Sequence, residues 1–266
     1  MSLAPPARRA LRVTGVDELG AYRVIRAADP AGPPAQPGQF AMLAAAERWG
    51  GGEDERPFLA RAFSVARQED GESHFLLEDV GPGTARLCEL VEGDEMLVLG
   101  PLGRGFSAPT DGRRAILVGG GVGIAPLAML QDSLDTTTTV LLGFRERSRA
   151  QGAALLSGAQ VATDDGSVGH HGLVTDLLAE ELERDPHALV YSCGPAGMLE
   201  GVRAMCERLQ VPAQLALEAG MACGFGACYG CVVPKRGGGY LRVCVDGPVI
   251  DAAELDHVEA HAGAPA

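Results

Sequence analysis

Hydrophobic positions recur along the chain in two rhythms. Up to about Thr110 they come as short alternating or apolar runs: Leu11–Val16, Tyr22–Ala27, Phe40–Ala44, Ala62–Ala66, His74–Leu77 and Glu95–Leu99, with Pro37-Gly38 and Pro82-Gly83 among the turn signals between them. Short strands at this spacing predict an antiparallel barrel or sandwich, with one helix over Gly83–Leu90 crossing between strands. From about Gly112 the runs lengthen and alternate with helical segments. Ala115–Val118, Thr138–Gly143, Ala159–Thr163 and Ala188–Cys193 read as buried parallel strands. The clearest helix starts at Pro195 and puts Met198, Leu199, Val202, Met205, Cys206 and Leu209 on one face. Proline suits a first turn, where its missing N–H has no helical partner to lose. Alternating strand and helix predict a doubly wound α/β unit. A third stretch, Pro212 to Ile250, keeps neither rhythm, and the last dozen residues read as a frayed helix. The expected division is 1–110, 111–211 and 212–266, with no internal repeat.

A chain of 266 residues accommodates two domains, and 46% hydrophobic with 21% charged residues excludes a disordered protein. The net charge of −13 excludes a nucleic-acid backbone as partner and gives no attraction to anionic lipid. The longest uncharged apolar runs, Ala115–Leu130 and Ala219–Pro234, are glycine-containing and shorter than the roughly 20 residues a membrane span requires. Arg8 and Arg9 are not followed by the apolar segment of a secretory leader, so a cytoplasmic protein is expected.

The seven cysteines are unevenly spread. Cys88, Cys193 and Cys206 are scattered, and Cys88 and Cys206 read as core residues of helices. Cys223, Cys228, Cys231 and Cys244 crowd together as C-x4-C-x2-C with a distant fourth member, the ligand spacing of plant-type [2Fe–2S] proteins. Thiolates suit iron, and Gly224, Gly226, Ala227 and Gly230 let the loop bring its N–H groups onto sulfur. A structural zinc site is the alternative, although two C-x2-C knuckles would be usual there and only Cys228–Cys231 has that spacing.

Ile116 to Pro126, with Gly119, Gly120, Gly121 and Gly123, joins an apolar strand to an apolar helix. Such a turn lets a pyrophosphate approach backbone N–H groups, though its spacing is not the usual dinucleotide fingerprint and a ligand-free turn is the alternative. Cys193-Gly194-Pro195 also ends a strand and opens a helix. Arg61, Phe63 and Ser64 share a strand, where a guanidinium, a ring and a hydroxyl could meet a cofactor. Gly83 and Thr84 could cradle phosphate, or could form a Pro-Gly turn with Thr84 as the helix cap. Asp164-Asp165 reads as a polar turn, His170-His171 as a solvated loop, Trp49 as a locally packed ring, and Ala45–Arg56 as an extended loop.

In order, these motifs resemble the ferredoxin–NADP reductase superfamily: Arg61-x-Phe63-Ser64 its flavin strand, Gly83-Thr84 its flavin-phosphate turn, Leu99 to Phe106 its barrel exit, and Gly119–Pro126 with Cys193-Gly194-Pro195 its nicotinamide motifs. Glu218, Met221, Cys223–Cys231 and Arg242–Pro248 resemble, more narrowly, the electron-transfer subunits of dihydroorotate dehydrogenase B, as does Thr163–Ser167 followed by Gly172–Leu178. Ala62 departs from the proline common at that position in the family.

The resemblance implies a β-barrel flavin domain, an α/β doubly wound nucleotide domain and a small C-terminal [2Fe–2S] segment. It implies FAD held by Arg61, Phe63, Ser64, Gly83 and Thr84, and NAD held by Gly120, Gly121, Gly123, Cys193, Gly194 and Pro195. It implies a cluster on Cys223, Cys228, Cys231 and Cys244, with no side chain acting as catalytic acid or base. The implied partner is an FMN-containing catalytic subunit that oxidises dihydroorotate to orotate in pyrimidine biosynthesis, in a heterotetramer of two subunits of each kind. Arg145 and Arg147 would suit a 2′-phosphate, whereas Glu146 between them would suit a ribose hydroxyl. A reductase subunit of another complex, such as a hydrogenase or a ferredoxin-dependent system, and a non-enzymatic zinc-stabilised interaction module are the other readings.

Overall fold

The computed structural model describes residues 8–50 and 57–259. Six strands, β1 (Arg8–Leu19), β2 (Tyr22–Ala28), β3 (Phe40–Ala45), β4 (Arg61–Glu69), β5 (Glu72–Glu78) and β6 (Glu95–Leu102), close an antiparallel barrel in the order β1-β2-β5-β4-β3-β6. Closure leaves no open edge. Alternation decides which side chains fill it: Leu11, Val13, Ile25, Leu43, Val65, Phe75, Leu77, Met96 and Val98 meet inside, while intervening residues face outward. The short helix α1 (Pro82–Cys88) crosses after β5.

The second layer holds β7 (Arg114–Gly120), α2 (Ile124–Ser133), β8 (Thr138–Phe144), α3 (Arg147–Ala150), β9 (Ala159–Thr163), β10 (His170–His171), α4 (Val174–Arg184), β11 (Ala188–Cys193), α5 (Ala196–Leu209) and β12 (Ala213–Ala216). Beyond them lie β13 (Val232–Pro234), β14 (Tyr240–Arg242) and β15 (Val249–Asp251). A seven-stranded sheet runs β10-β9-β8-β7-β11-β12-β15, parallel except for β15. Its central strands are buried throughout because both faces are covered. Ile116, Val118, Leu141 and Val190 pack with α4 and α5 on one face. On the other, Leu117, Leu142 and Tyr191 pack with α2 and with Tyr22, Ala66 and Leu76 of the barrel. Strand order reverses at β7 and β11, where Cys193 lies opposite Gly119, and ligands of open α/β sheets bind at such a reversal.

The third stretch is woven into what precedes it. β12 and β15 complete the large sheet, while β13 and β14 form a separate hairpin. The barrel exit is clamped to it: the Arg104 N–H donates to the Gly247 carbonyl at 2.5 Å, and a Cβ on Gly103 would stand 2.6 Å from that same oxygen. The Tyr191 hydroxyl and the Gln214 amide both donate to Ser107, tying the next residues of the linker to the sheet.

Four local expectations change. Pro195 is the cap before α5, one position ahead of the helix, and Leu209 at the helix end is 40% exposed, outside the buried stripe of Leu199, Val202 and Cys206. Thr84 is not the cap of α1: Gly81 holds that place, and the Thr84 hydroxyl donates back to the Gly81 carbonyl at 2.9 Å while accepting from the Val80 N–H. His170 and His171 form a short edge strand against Ala162 and Thr163. Near the end, Ala252–Glu254 makes one tight turn without continuing as an α-helix up to residue 259, and the rest of the expected frayed helix, like residues 51–56 of the expected loop, lies outside the described residues. No helix among the described residues is long and apolar enough to cross a membrane.

α5 supplies a paired test of this packing. Leu199 is 1% exposed, and truncating it to Ala is expected to cost about 2–5 kcal/mol. Leu209→Ala is expected to stay within about 0.5 kcal/mol of wild type. Urea denaturation followed by circular dichroism distinguishes the two; equal losses would contradict the assigned face.

Candidate functional site

One cavity of about 890 Å³ opens where the barrel meets the sheet. Its lining includes Arg61, Phe63, Ser64, Gly83, Thr84, Gly120, Gly121, Gly123, Cys193, Gly194 and Pro195, the whole set singled out in the sequence for cofactor binding. Four chain segments bring them there: the start of β4, the entry to α1, the β7–α2 turn and the β11–α5 turn. Close approach explains the glycines. A Cβ on Gly123 would lie 2.4 Å from the Cys193 carbonyl oxygen, and one on Gly120 would lie 2.7 Å from Met198 Sδ, so the two strand ends can adjoin only without side chains. Gly121 differs: its φ of +55° lies in the left-handed region, and nothing stands within 4 Å of its Cβ direction, which leaves backbone bare toward the cavity. Across the cleft, a Cβ on Gly83 would stand 2.5 Å from Arg61 Nε, so the guanidinium lies against the first turn of α1. Arg61 also donates to the Leu59 carbonyl and lies 5.9 Å from the Trp49 ring centre, giving Trp49 a partner beyond local packing.

The cavity wall continues through Glu218, Ala219, Gly220 and Met221 into the cysteine loop. Desolvation by surrounding protein raises the Glu218 carboxyl above its usual range although it faces the cavity. Burial, and then the Glu218 charge, push the Cys193 thiol up to about 12.

All seven cysteines are free. Cys231 and Cys244 are buried with their sulfurs 3.2 Å apart, whereas Cys223 is hydrogen-bonded with Cys228, which is exposed. Among the described residues no three His, Cys, Asp or Glu side chains gather around one point as a single ion requires. Cysteines paired as Cys223 with Cys228 and Cys231 with Cys244 give the donor arrangement that a two-iron cluster takes. Backbone donors surround the sulfurs: Gly230 N–H on Cys228 at 3.4 Å, Cys244 N–H on Cys231 at 3.4 Å, and Gly226 N–H on Cys244. Burial alone would raise the Cys223 thiol, but hydrogen bonds from the Phe225 and Cys228 backbone, the Cys228 side chain and the Ala227 backbone bring it to about 6. Burial, followed by the neighbouring Cys231, pushes Cys244 up to about 12. The donors and the glycine-bearing loop fit a cluster of paired iron: a Cβ at Gly224 would meet Met42 at 2.6 Å, and one at Gly226 would meet Val245 at 2.7 Å.

Cys206 is buried in α5, while Cys88 is only half-buried at the end of α1. Asp164 and Asp165 form a turn, with Ser167 N–H donating to the Asp165 carboxylate at 2.9 Å. Arg145 lines the cavity; Arg147 donates instead to the Ser167 carbonyl, and Glu146 is engaged by Arg149 at 3.2 Å. Sequence reasoning missed Glu78 and Arg149, which also line the cavity and pair at 2.6 Å between the barrel and the α/β layer. The available signal was a carboxylate directly after the apolar run Phe75–Leu77 of β5.

Residues 218–256 match the model of the iron-sulfur cluster binding domain of dihydroorotate dehydrogenase B. The chain is 39% identical over 225 residues to the dihydroorotate dehydrogenase B (NAD(+)) electron transfer subunit of Caldanaerobacter subterraneus subsp. tengcongensis, with 82% of this chain and 86% of that one covered. It is 40% identical over 234 residues to the subunit of the same name from Bacillus caldolyticus, with 83% and 86% covered. The solved structure of an NADH-dependent reduced ferredoxin-NADP oxidoreductase, studied for flavin-based electron bifurcation, superposes with a TM-score of 0.79 at 27% identity, over 93% of this chain and 90% of the other. A ferredoxin NADP+ reductase from Neisseria gonorrhoeae, solved with FAD and NADP, shares the fold at a TM-score of 0.58 and 18% identity, over 76% of this chain and 91% of that one. A barrel joined to an α/β sheet with a cysteine loop at its end is therefore a ferredoxin reductase-like architecture, and the chain belongs to the family of dihydroorotate dehydrogenase B electron transfer subunits.

Proposed function

We propose that the chain carries electrons between NAD(H) and a catalytic subunit that oxidises dihydroorotate to orotate, using FAD and a [2Fe–2S] cluster. The observation that carries this reading is the continuity of the cavity wall with the thiol loop: Met221 lines the cavity, and Cys223 follows two residues later. Nicotinamide exchanges hydride, an iron–sulfur cluster exchanges single electrons, and flavin does both. Arg61, Phe63 and Ser64 would hold the flavin, with Gly83 and Thr84 at its phosphates. Gly120, Gly121, Gly123, Cys193, Gly194 and Pro195 would seat the nicotinamide nucleotide at the strand-order reversal. Cys223 with Cys228, and Cys231 with Cys244, would each hold one iron.

We assign residues 1–110 to flavin, 111–211 to nucleotide and 212–266 to the cluster, with β12 and β15 of the last part docked on the nucleotide sheet. NAD is the assigned nucleotide, in keeping with the names of the relatives. The catalytic partner is assigned as the FMN-bearing subunit, in a heterotetramer of two copies of each. A cytoplasmic site of action belongs to this proposal, since cysteines that serve as iron ligands suit a reducing compartment. The likeness to the NADH-dependent ferredoxin-NADP oxidoreductase favours one second reading, a reductase subunit serving another complex. Purification with bound partners decides between them: an FMN protein and NAD-dependent dihydroorotate oxidation support the first reading, and a ferredoxin-linked partner supports the second.

Three outcomes follow. Cys228→Ser is expected to lose most of its iron and visible cluster absorbance while keeping flavin; full iron content would overturn the ligand assignment. Gly123→Ala, which places a methyl group against the Cys193 carbonyl, is expected to weaken NADH at least about tenfold, a loss of ~1.4 kcal/mol, with FAD content unchanged. An unchanged KM for NADH would remove Gly123 from the nucleotide site. Cluster assembly must deprotonate Cys244, raised to about 12, whereas Cys223, at about 6, is mostly thiolate at neutral pH. Reconstitution with iron and sulfide is therefore expected to quicken from pH 7 to pH 9, and a flat profile would count against this.

A further inference from the structure

Arg242 ends β14 two residues before Cys244, and its guanidinium turns back over the cysteine loop. It lies 5.5 Å from the centre of the Tyr229 ring. Its Nη1 is 3.4 Å from where a Cβ of Gly226 would stand, and Gly226 is the residue whose N–H bonds Cys244. Asp246 fixes it from the other side: the carboxylate accepts the Arg242 N–H at 2.8 Å and lies 3.4 Å from Nε. Tyr229 adopts φ +56°, a left-handed backbone uncommon for a residue with a side chain, between the ligand candidate Cys228 and Gly230. Strain of this kind persists where the surroundings demand it, and here it brings the ring under the guanidinium. One cation is thus held between the Tyr229 ring, the Asp246 carboxylate and Gly226 of the four-cysteine loop, with about a third of its side chain exposed.

We propose that Arg242, clamped by Tyr229 and Asp246, is the positive charge that sets how readily the cluster accepts an electron. The proposal rests on the reading of the four cysteines as iron ligands. Each added electron makes a thiolate-bound cluster one charge more negative, and a nearby fixed cation favours that state. Asp246 opposes the effect, so the two residues act with opposite signs. Arg242→Gln lowers the cluster's midpoint potential, and Asp246→Asn raises it. Arg242→Lys keeps the charge but loses the planar contact with the ring, and falls between wild type and Arg242→Gln.

The test is a redox titration of the purified, cluster-loaded full chain and its three variants, followed by electron paramagnetic resonance at fixed salt, with iron and sulfide measured on each sample. The expected change for Arg242→Gln is about three- to tenfold in the reduced-to-oxidised ratio at a fixed poise, equivalent to ~30–60 mV for one electron. Opposite shifts in Arg242→Gln and Asp246→Asn support the proposal. Equal potentials in all four proteins overturn it. So does a loss of iron in Arg242→Gln with unshifted potentials in Arg242→Lys and Asp246→Asn, which makes Arg242 a brace for the loop only. Wild-type chain lacking iron and sulfide overturns the cysteine reading itself and is recognised separately.

Discussion

Electrons tunnel only over limited gaps, so carriers in one chain must be held near one another, and the chain's path out of β12 runs from the cavity wall directly into the cysteine loop. Glu218 to Met221 form wall for the large cavity, and the next turns of backbone present Cys223 and Cys228. Nothing in a ferredoxin reductase-like fold by itself requires a thiol loop there. The clamp of Arg104 on Gly247, the docking of β15 on β12 and the seating of Gly224 against Met42 keep the loop against both barrel and sheet.

The site also shows where stability and chemistry oppose each other. Buried thiols such as Cys206 resist ionisation, with a value raised to about 12, and stay inert. The loop lowers Cys223 by hydrogen bonds that Cys206 lacks, but leaves Cys244 costly to ionise until metal repays it.

Much of this was legible in the sequence because the signals were periodic or spaced. Barrel strands such as β6 alternate strictly, and the sheet strands are continuously apolar because helices cover both faces. The cysteine spacing and the glycine turns carried the site, since only those residue types allow such close approach. What failed to show depended on distant partners. Leu209 has the helical period of its neighbours, yet at the end of α5 it stays 40% exposed, and His170 and His171 are polar but gain a strand from β9. The joining of β12 and β15 to the large sheet, and the meeting of Glu78 with Arg149, arise from segments far apart in sequence. Local pattern contains no record of such pairings.

The central claim is that the four thiols hold iron within electron-transfer reach of a flavin reducible by NADH. The most direct measurement is anaerobic addition of NADH to the isolated chain, following flavin bleaching by absorbance and the cluster by electron paramagnetic resonance in samples frozen over time. The account predicts that the flavin bleaches and that a signal from a reduced two-iron centre then develops. Flavin that bleaches fully while the bound iron gives no such signal would contradict it.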